Sequence, residues 1–176
     1  PEGIAVTRFA QEMGGNGKCT IIGMGLRTSP VYATLANGTM VRLLDFDDEI
    51  AERRCHPGSF IFPVVMALGE MNGSSGPQVL VAFSLGCEVV SKLMGDPTGT
   101  GIDINHRQGM AGTLGAAAAA SSILRMDRSQ TEAALNLAEG KSALGPADMA
   151  SPGTALHHGR SAMNGMIGAL LARDGF

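Results

Sequence analysis

The chain is poor in charge, in aromatic rings and in cysteine. Asp, Glu, Lys and Arg make up 16% of its 176 residues, against roughly 25% in an ordinary soluble domain. With so little polar surface, much of the domain is expected to pack against a partner subunit or a companion domain. Tryptophan is absent, tyrosine occurs once and the net charge is −3. The lack of a basic patch or an aromatic ladder argues against nucleic acid as a partner. Three cysteines, Cys19, Cys55 and Cys87, stand far apart with no C-x-x-C pair. That argues against a zinc site or a disulfide framework, and reduced thiols in the cytoplasm are the simplest account. The start, Pro1-Glu2-Gly3, lacks the basic segment and apolar core of a signal peptide. The apolar stretch Val79 to Leu85 is interrupted by Ser84 and too short to cross a bilayer. The chain opens on proline and closes directly after a helix-like run, so it reads as a single helical domain over residues 1–176 cut from something longer.

Helix signals dominate what is present. Ser29-Pro30 offers a cap and a first-turn proline for a helix to about Leu43, and Pro57 opens another to about Met71. Asn72 to Gly76 is a breaker, after which Pro77 begins a long helix to about Met94. That helix is apolar on nearly every face and is expected to be central. A loop follows over Gly95 to Gly101. The next helix starts near His106 and carries the run Ala116 to Ala120, where Gly109, Gly112 and Gly115 let neighbouring helices approach closely. Ser129 to Glu132 reads as a capping box opening a helix to about Ser142. After a loop over residues 145–153, a last helix spans about Gly159 to Arg173. Only Cys19 to Met24 has any strand character, and methionines such as Met13 and Met24 are taken as core filler. The fold class is therefore all-α, a multi-helical bundle.

Chemistry concentrates between two apolar segments. Leu44-Asp45-Phe46-Asp47-Asp48 places three carboxylates within four residues, and His56-Pro57-Gly58 follows. Like charges repel and burial opposes ionisation, so such a knot costs free energy to hold. A solvated acidic turn is one reading of it; a cleft for proton transfer on a small polar substrate is the other. A metal held by Asp45, Asp47, Asp48 and His56 is a third. Cys55 beside His56 raises a nucleophile, although it serves equally as a space-filler. His106, His157 and His158 stand at expected helix starts, where the positive end of the helix dipole favours a carboxylate ligand and a neutral imidazole.

These motifs, in this order, resemble the MmgE/PrpD family. The resemblance is carried by Ala36-Asn37-Gly38-Thr39, Leu44 to Asp48, His56-Pro57-Gly58 and Ala67-Leu68-Gly69-Glu70. It continues through His106, the alanine run, Ala133 to Ala138, Leu156-His157-His158-Gly159-Arg160 and Ala169 to Phe176. It implies the helical domain of a protein with a separate α/β lid, a homodimer, and an active site between the two domains without metal or iron–sulfur cluster. It also implies a small di- or tricarboxylate substrate. Family members include 2-methylcitrate dehydratase, cis-aconitate decarboxylase and iminodisuccinate epimerase. Carried over by position, the catalytic residues are Asp45, His56 and His106. Arg42, Glu49, His157 and Arg160 are the candidates for holding substrate.

Three positions depart from the family pattern. Arg42 stands where histidine is frequent, Glu49 where threonine is frequent, and Thr154 where a lysine is usual. Loss of that cation removes a charge-assisted hydrogen bond worth about 1.5–3 kcal/mol. The leading expectation is a cofactor-independent, dehydratase-like lyase working by acid–base catalysis. Epimerisation and decarboxylation suit the same residues, and a catalytically inactive helical dimerisation module is the rival from another class.

Overall fold

The computed structural model describes residues 1–45, 47–95, 104–139 and 151–176. Its architecture is all-α: seven α-helices and one two-stranded antiparallel hairpin among the described residues. They are α1 (Glu2–Gly14), β1 (Cys19–Ile21), β2 (Leu26–Thr28), α2 (Pro30–Leu43), α3 (Pro57–Asn72), α4 (Gly76–Met94), α5 (Ile104–Ile123), α6 (Arg128–Glu139) and α7 (Pro152–Arg173). The strands pair in the register Cys19–Thr28, Thr20–Arg27 and Ile21–Leu26. Asn37 of α2 pins the hairpin, accepting from the Ile22 amide and donating to the Thr20 carbonyl.

The core lies between α3, α5 and α7. Phe60, Ile61, Val64, Val65 and Leu68 of α3 are fully buried, facing the alanine run of α5 and Met166 of α7. Small residues set the spacing. A Cβ on Gly112 would collide with the Phe60 ring, and one on Gly159 with the Leu35 carbonyl and the Thr39 hydroxyl. The backbones of α2 and α7 therefore touch at Gly38 and Gly159, bringing the end of α2 beside the first turns of α7.

Several expectations change. α4 is an outer helix, not the central one: only Ala82, Gly86, Val90 and Met94 are buried, while Leu80 and Val81 are 66% and 63% exposed. Apolarity on every face gave no direction for its packing. At 19 residues it is also long and apolar enough, by length and composition alone, to span a membrane, which the short run Val79 to Leu85 understated; its small-residue face packs on α5. Met13 and Met24 are exposed, not core filler; Met94 and Met166 fill that role. The box that opens α6 is Asp127 with Gln130, two residues before the Ser129–Glu132 pair: each side chain bonds the other's backbone amide, at 2.8 and 3.1 Å. α7 begins at Pro152, seven residues before Gly159, so His157 and His158 lie inside the helix and not ahead of it. The loops expected over Gly95 to Gly101 and residues 145–153, and the end of α6 near Ser142, fall largely outside the described residues.

Candidate active site

The site grows out of the segment that joins α2 to α3. Asp45 leaves α2 with φ 56°, a conformation that aspartate tolerates better than most residues. The segment is closed by a bridge from the Ile50 amide to the Cys55 carbonyl at 2.9 Å, helped by Arg54 at φ 50°. The three carboxylates then part company. Asp45 is exposed, its side chain 69% accessible and ion-paired with Arg42. Asp48 accepts the Gly58 amide at 2.8 Å, which satisfies an orphan donor in the first turn of α3. Asp47 turns inward: its side chain is 2% exposed, with Oδ1 3.3 Å from Arg42 Nη1 and 3.5 Å from His56 Nδ1.

Burial alone would raise the Asp47 carboxyl, but the His56 imidazole and the Arg42 guanidinium outweigh it and hold the group below its ordinary value. His56 is the N-cap residue of α3. Its Nδ1 also faces the Asp48 carbonyl at 3.0 Å, and its own carbonyl accepts the Ser59 hydroxyl at 2.7 Å. The same hydroxyl oxygen lies 2.7 Å from Nδ1 of His158, ninety-nine residues further along the chain. His158 stacks on Phe60 with ring centroids 4.2 Å apart. Burial, then the Arg42 charge, pushes His158 well below 6.5, so it is a neutral imidazole.

His157 continues the arc. Its ring centroid is 6.1 Å from that of His158, and Nε2 is 3.4 Å from the Ser161 hydroxyl. Burial pushes it down to about 4, with the charges of Arg160 and His106 adding to the shift. His106, in the first described turn of α5, is thus electrostatically coupled to His157. Acids and imidazoles so form a chain from Asp45 and Arg42 through Asp47, His56, Ser59 and His158 to His157 and His106. Glu49 and Arg160 are exposed at its margins. A cavity of about 300 Å³ opens at its Arg42–Asp45 end, lined by those two residues with Ser151, Thr154 and Glu2 and by none of the histidines. Thr154 is buried at that wall.

Two alternative chemistries fare poorly. Cys55 is fully buried, and burial pushes its thiol up to about 11, so it is not poised as a nucleophile. Asp45, Asp47 and His56 do place ligand atoms within 4.8 Å of one another. The Arg42 guanidinium already lies against both aspartates, however, and a divalent cation there would face a fixed positive charge.

Sequence reasoning passed over Asp47 as a distinct residue, and it missed Ser59 and the inward turn of His158. Nothing local marks a pair separated by ninety-nine residues. The one available signal, an imidazole three places from the small residue Ser161 within an apolar helix, is too common to decide anything.

The fold is thus an all-α domain that gathers imidazoles and one buried carboxylate around the junction of α2, α3 and α7. The sequence matches the MmgE/PrpD N-terminal domain across residues 1–176, and the chain belongs to that family. Among its relatives, cis-aconitate decarboxylase of Mus musculus is 34% identical over 178 residues, 97% of this chain and 36% of that protein. The Homo sapiens cis-aconitate decarboxylase is 33% identical, covering 85% of this chain and 32% of its own length. That of Aspergillus terreus is 28% identical over 91% of this chain. The chain spans about a third of the length of these relatives.

Proposed function

We propose that the protein containing this domain is a lyase that acts on a small polycarboxylate by acid–base catalysis, with decarboxylation of a cis-aconitate-like tricarboxylate as its first candidate reaction. The observation that carries this reading is the run of similarity to a cis-aconitate decarboxylase over 97% of the chain. It moves decarboxylation ahead of the dehydration that the motifs alone suggested.

The chemistry asks little of the protein beyond placement. When the carbon–carbon bond to the departing carboxylate breaks, its electron pair stays on the substrate carbon, and CO2 leaves. An imidazolium must then deliver a proton to that carbon. In this reading His106 and His56 carry the proton and Asp45 helps to set the charge of the pair. Each properly placed acid or base contributes roughly 10²–10⁴ in rate. Arg42, Glu49, His157 and Arg160 are the residues proposed to hold the remaining carboxylates. Dehydration or epimerisation would use the same groups with a different leaving group or none. The reading needs only side chains and is cofactor-independent, and a homodimer with a lid domain would close the cavity against water.

Thr154 favours a second reading, a relative that binds polycarboxylates without turning them over. One experiment separates the two. The full-length protein is incubated with cis-aconitate, citrate and 2-methylcitrate while CO2 release and ultraviolet absorbance are followed. Turnover of one substrate, falling at least about 10²-fold in His106→Ala with an unchanged melting temperature, is the expected result. Thermal stabilisation by these ligands without turnover would establish the binding module instead.

A further inference from the structure

Asp47 is buried in a way that stability does not explain. Its side chain is 2% exposed, and Oδ2 has no hydrogen-bond partner among the described residues. Arg42 is in the same position, 9% exposed with Nε unpartnered. Buried polar atoms left unmade cost about 1–3 kcal/mol each, and replacing a buried ion pair by apolar groups is frequently neutral or stabilising. A residue retained at such cost has work to do elsewhere, and the contact that Asp47 adds is to His56.

The geometry around His56 is one-sided. Both neighbours of Nδ1 are acceptors, the Asp48 carbonyl at 3.0 Å and Asp47 Oδ1 at 3.5 Å. An acceptor can be met only by an N–H, so in the neutral ring Nδ1 is the nitrogen that carries the hydrogen and Nε2 the one that faces outward to exchange a proton. Nε2 has no partner among the described residues. The imidazole is half-sheltered at 15% exposure, and its backbone is held from behind by the Ser59 hydroxyl.

We propose that Asp47 is the positioning residue of His56: with the Asp48 carbonyl it fixes the Nδ1–H tautomer and thereby aims Nε2 at substrate. Asp45, the carboxylate first assigned to catalysis, is too exposed to do this. Asp47 acts through His56 and touches no substrate itself. The catalytic half of the proposal rests on the lyase reading above; the tautomer half does not.

The test uses ¹⁵N-histidine-labelled full-length protein, with His56 assigned by its disappearance in His56→Gln. Two-bond ¹H–¹⁵N correlations above the titration range of the ring report which nitrogen is protonated. The expected result is Nδ1–H in the parent, conversion to Nε2–H or a mixture in Asp47→Leu, and retention of Nδ1–H in Asp47→Asn, which keeps an acceptor. Where Asp47→Leu fails to fold because Arg42 is stranded, the Arg42→Met/Asp47→Leu double variant removes both charges and is read the same way. On the substrate that the parent turns over, Asp47→Leu lowers kcat about 10²-fold, as a misplaced catalytic group does, with KM changed less than threefold. A parent His56 protonated on Nε2, or an unchanged tautomer in both Leu-containing variants, overturns the proposal. Absence of turnover in the parent would overturn the lyase reading while leaving the tautomer result intact.

Discussion

A single residue separates Asp45 from Asp47, yet one faces water and the other is enclosed. The difference is made by the positive φ at Asp45, which turns the chain out of α2, and by the bridge from Ile50 to Cys55 that folds the segment back. None of that is encoded in spacing, so the sequence showed an acidic knot without showing which member is buried. His158 makes the same point. Beside His157 it looks like a second copy of the same signal, but it is packed on Phe60 and bonded to Ser59. Its neutrality has a consequence for stability. Burial, with the Arg42 charge, holds its folded-state value well below 6.5, whereas the unfolded chain takes up a proton near 6.5. Below that pH the unfolded state binds the extra proton and gains, so stability is full above about 6.5 and falls on acidification. The slope approaches about 1.4 kcal/mol per pH unit for this residue; His157, pushed down to about 4, adds to it over the same window. Urea midpoints measured from pH 7.5 to 5 should fall steadily in the parent and less steeply in His158→Gln.

At the scale of elements, the helices with local signals were legible. Proline at the first turn marked α2, α3 and the start of α4 to within a residue or two, because the proline ring presets the helical φ and lacks the hydrogen that the first turn would waste. The glycines of α5 were legible too, as close-approach sites. α7 was not: Ser151-Pro152 is the same kind of start signal, but it sat inside a Gly- and Ala-rich stretch that reads as loop. The order of burial among helices was also illegible, since α3 and α4 are both rich in apolar residues and only three-dimensional packing makes α3 the inner one. α6 gives a direct check on register. Its cap is Asp127, with Gln130 reciprocating, while Ser129 was the sequence-based choice. Asp127→Ala is expected to cost about 1 kcal/mol, and Ser129→Ala a few tenths at most, as read from chemical denaturation midpoints. The reverse order would restore the Ser129–Glu132 box.

For the molecule as a whole, low charge pointed to surface that needs a neighbour, and the outward residues Leu80, Val81, Leu85 and Leu93 of α4 bear that composition. The cavity at Arg42, Asp45 and Thr154 opens on the same domain that supplies the histidine arc, and the chain represents about a third of the length of its relatives. Under the proposed function, the substrate of the complete protein would sit where α2, α3, α5 and α7 carry these groups. Determining the structure of the full-length protein with a bound tricarboxylate tests this most directly. The account predicts ligand oxygens or the reacting carbon within hydrogen-bonding reach of His56 Nε2 and His106, with Asp47 beneath the His56 ring and out of contact with the ligand. A tricarboxylate bound elsewhere, with His56 and His106 untouched, would contradict it.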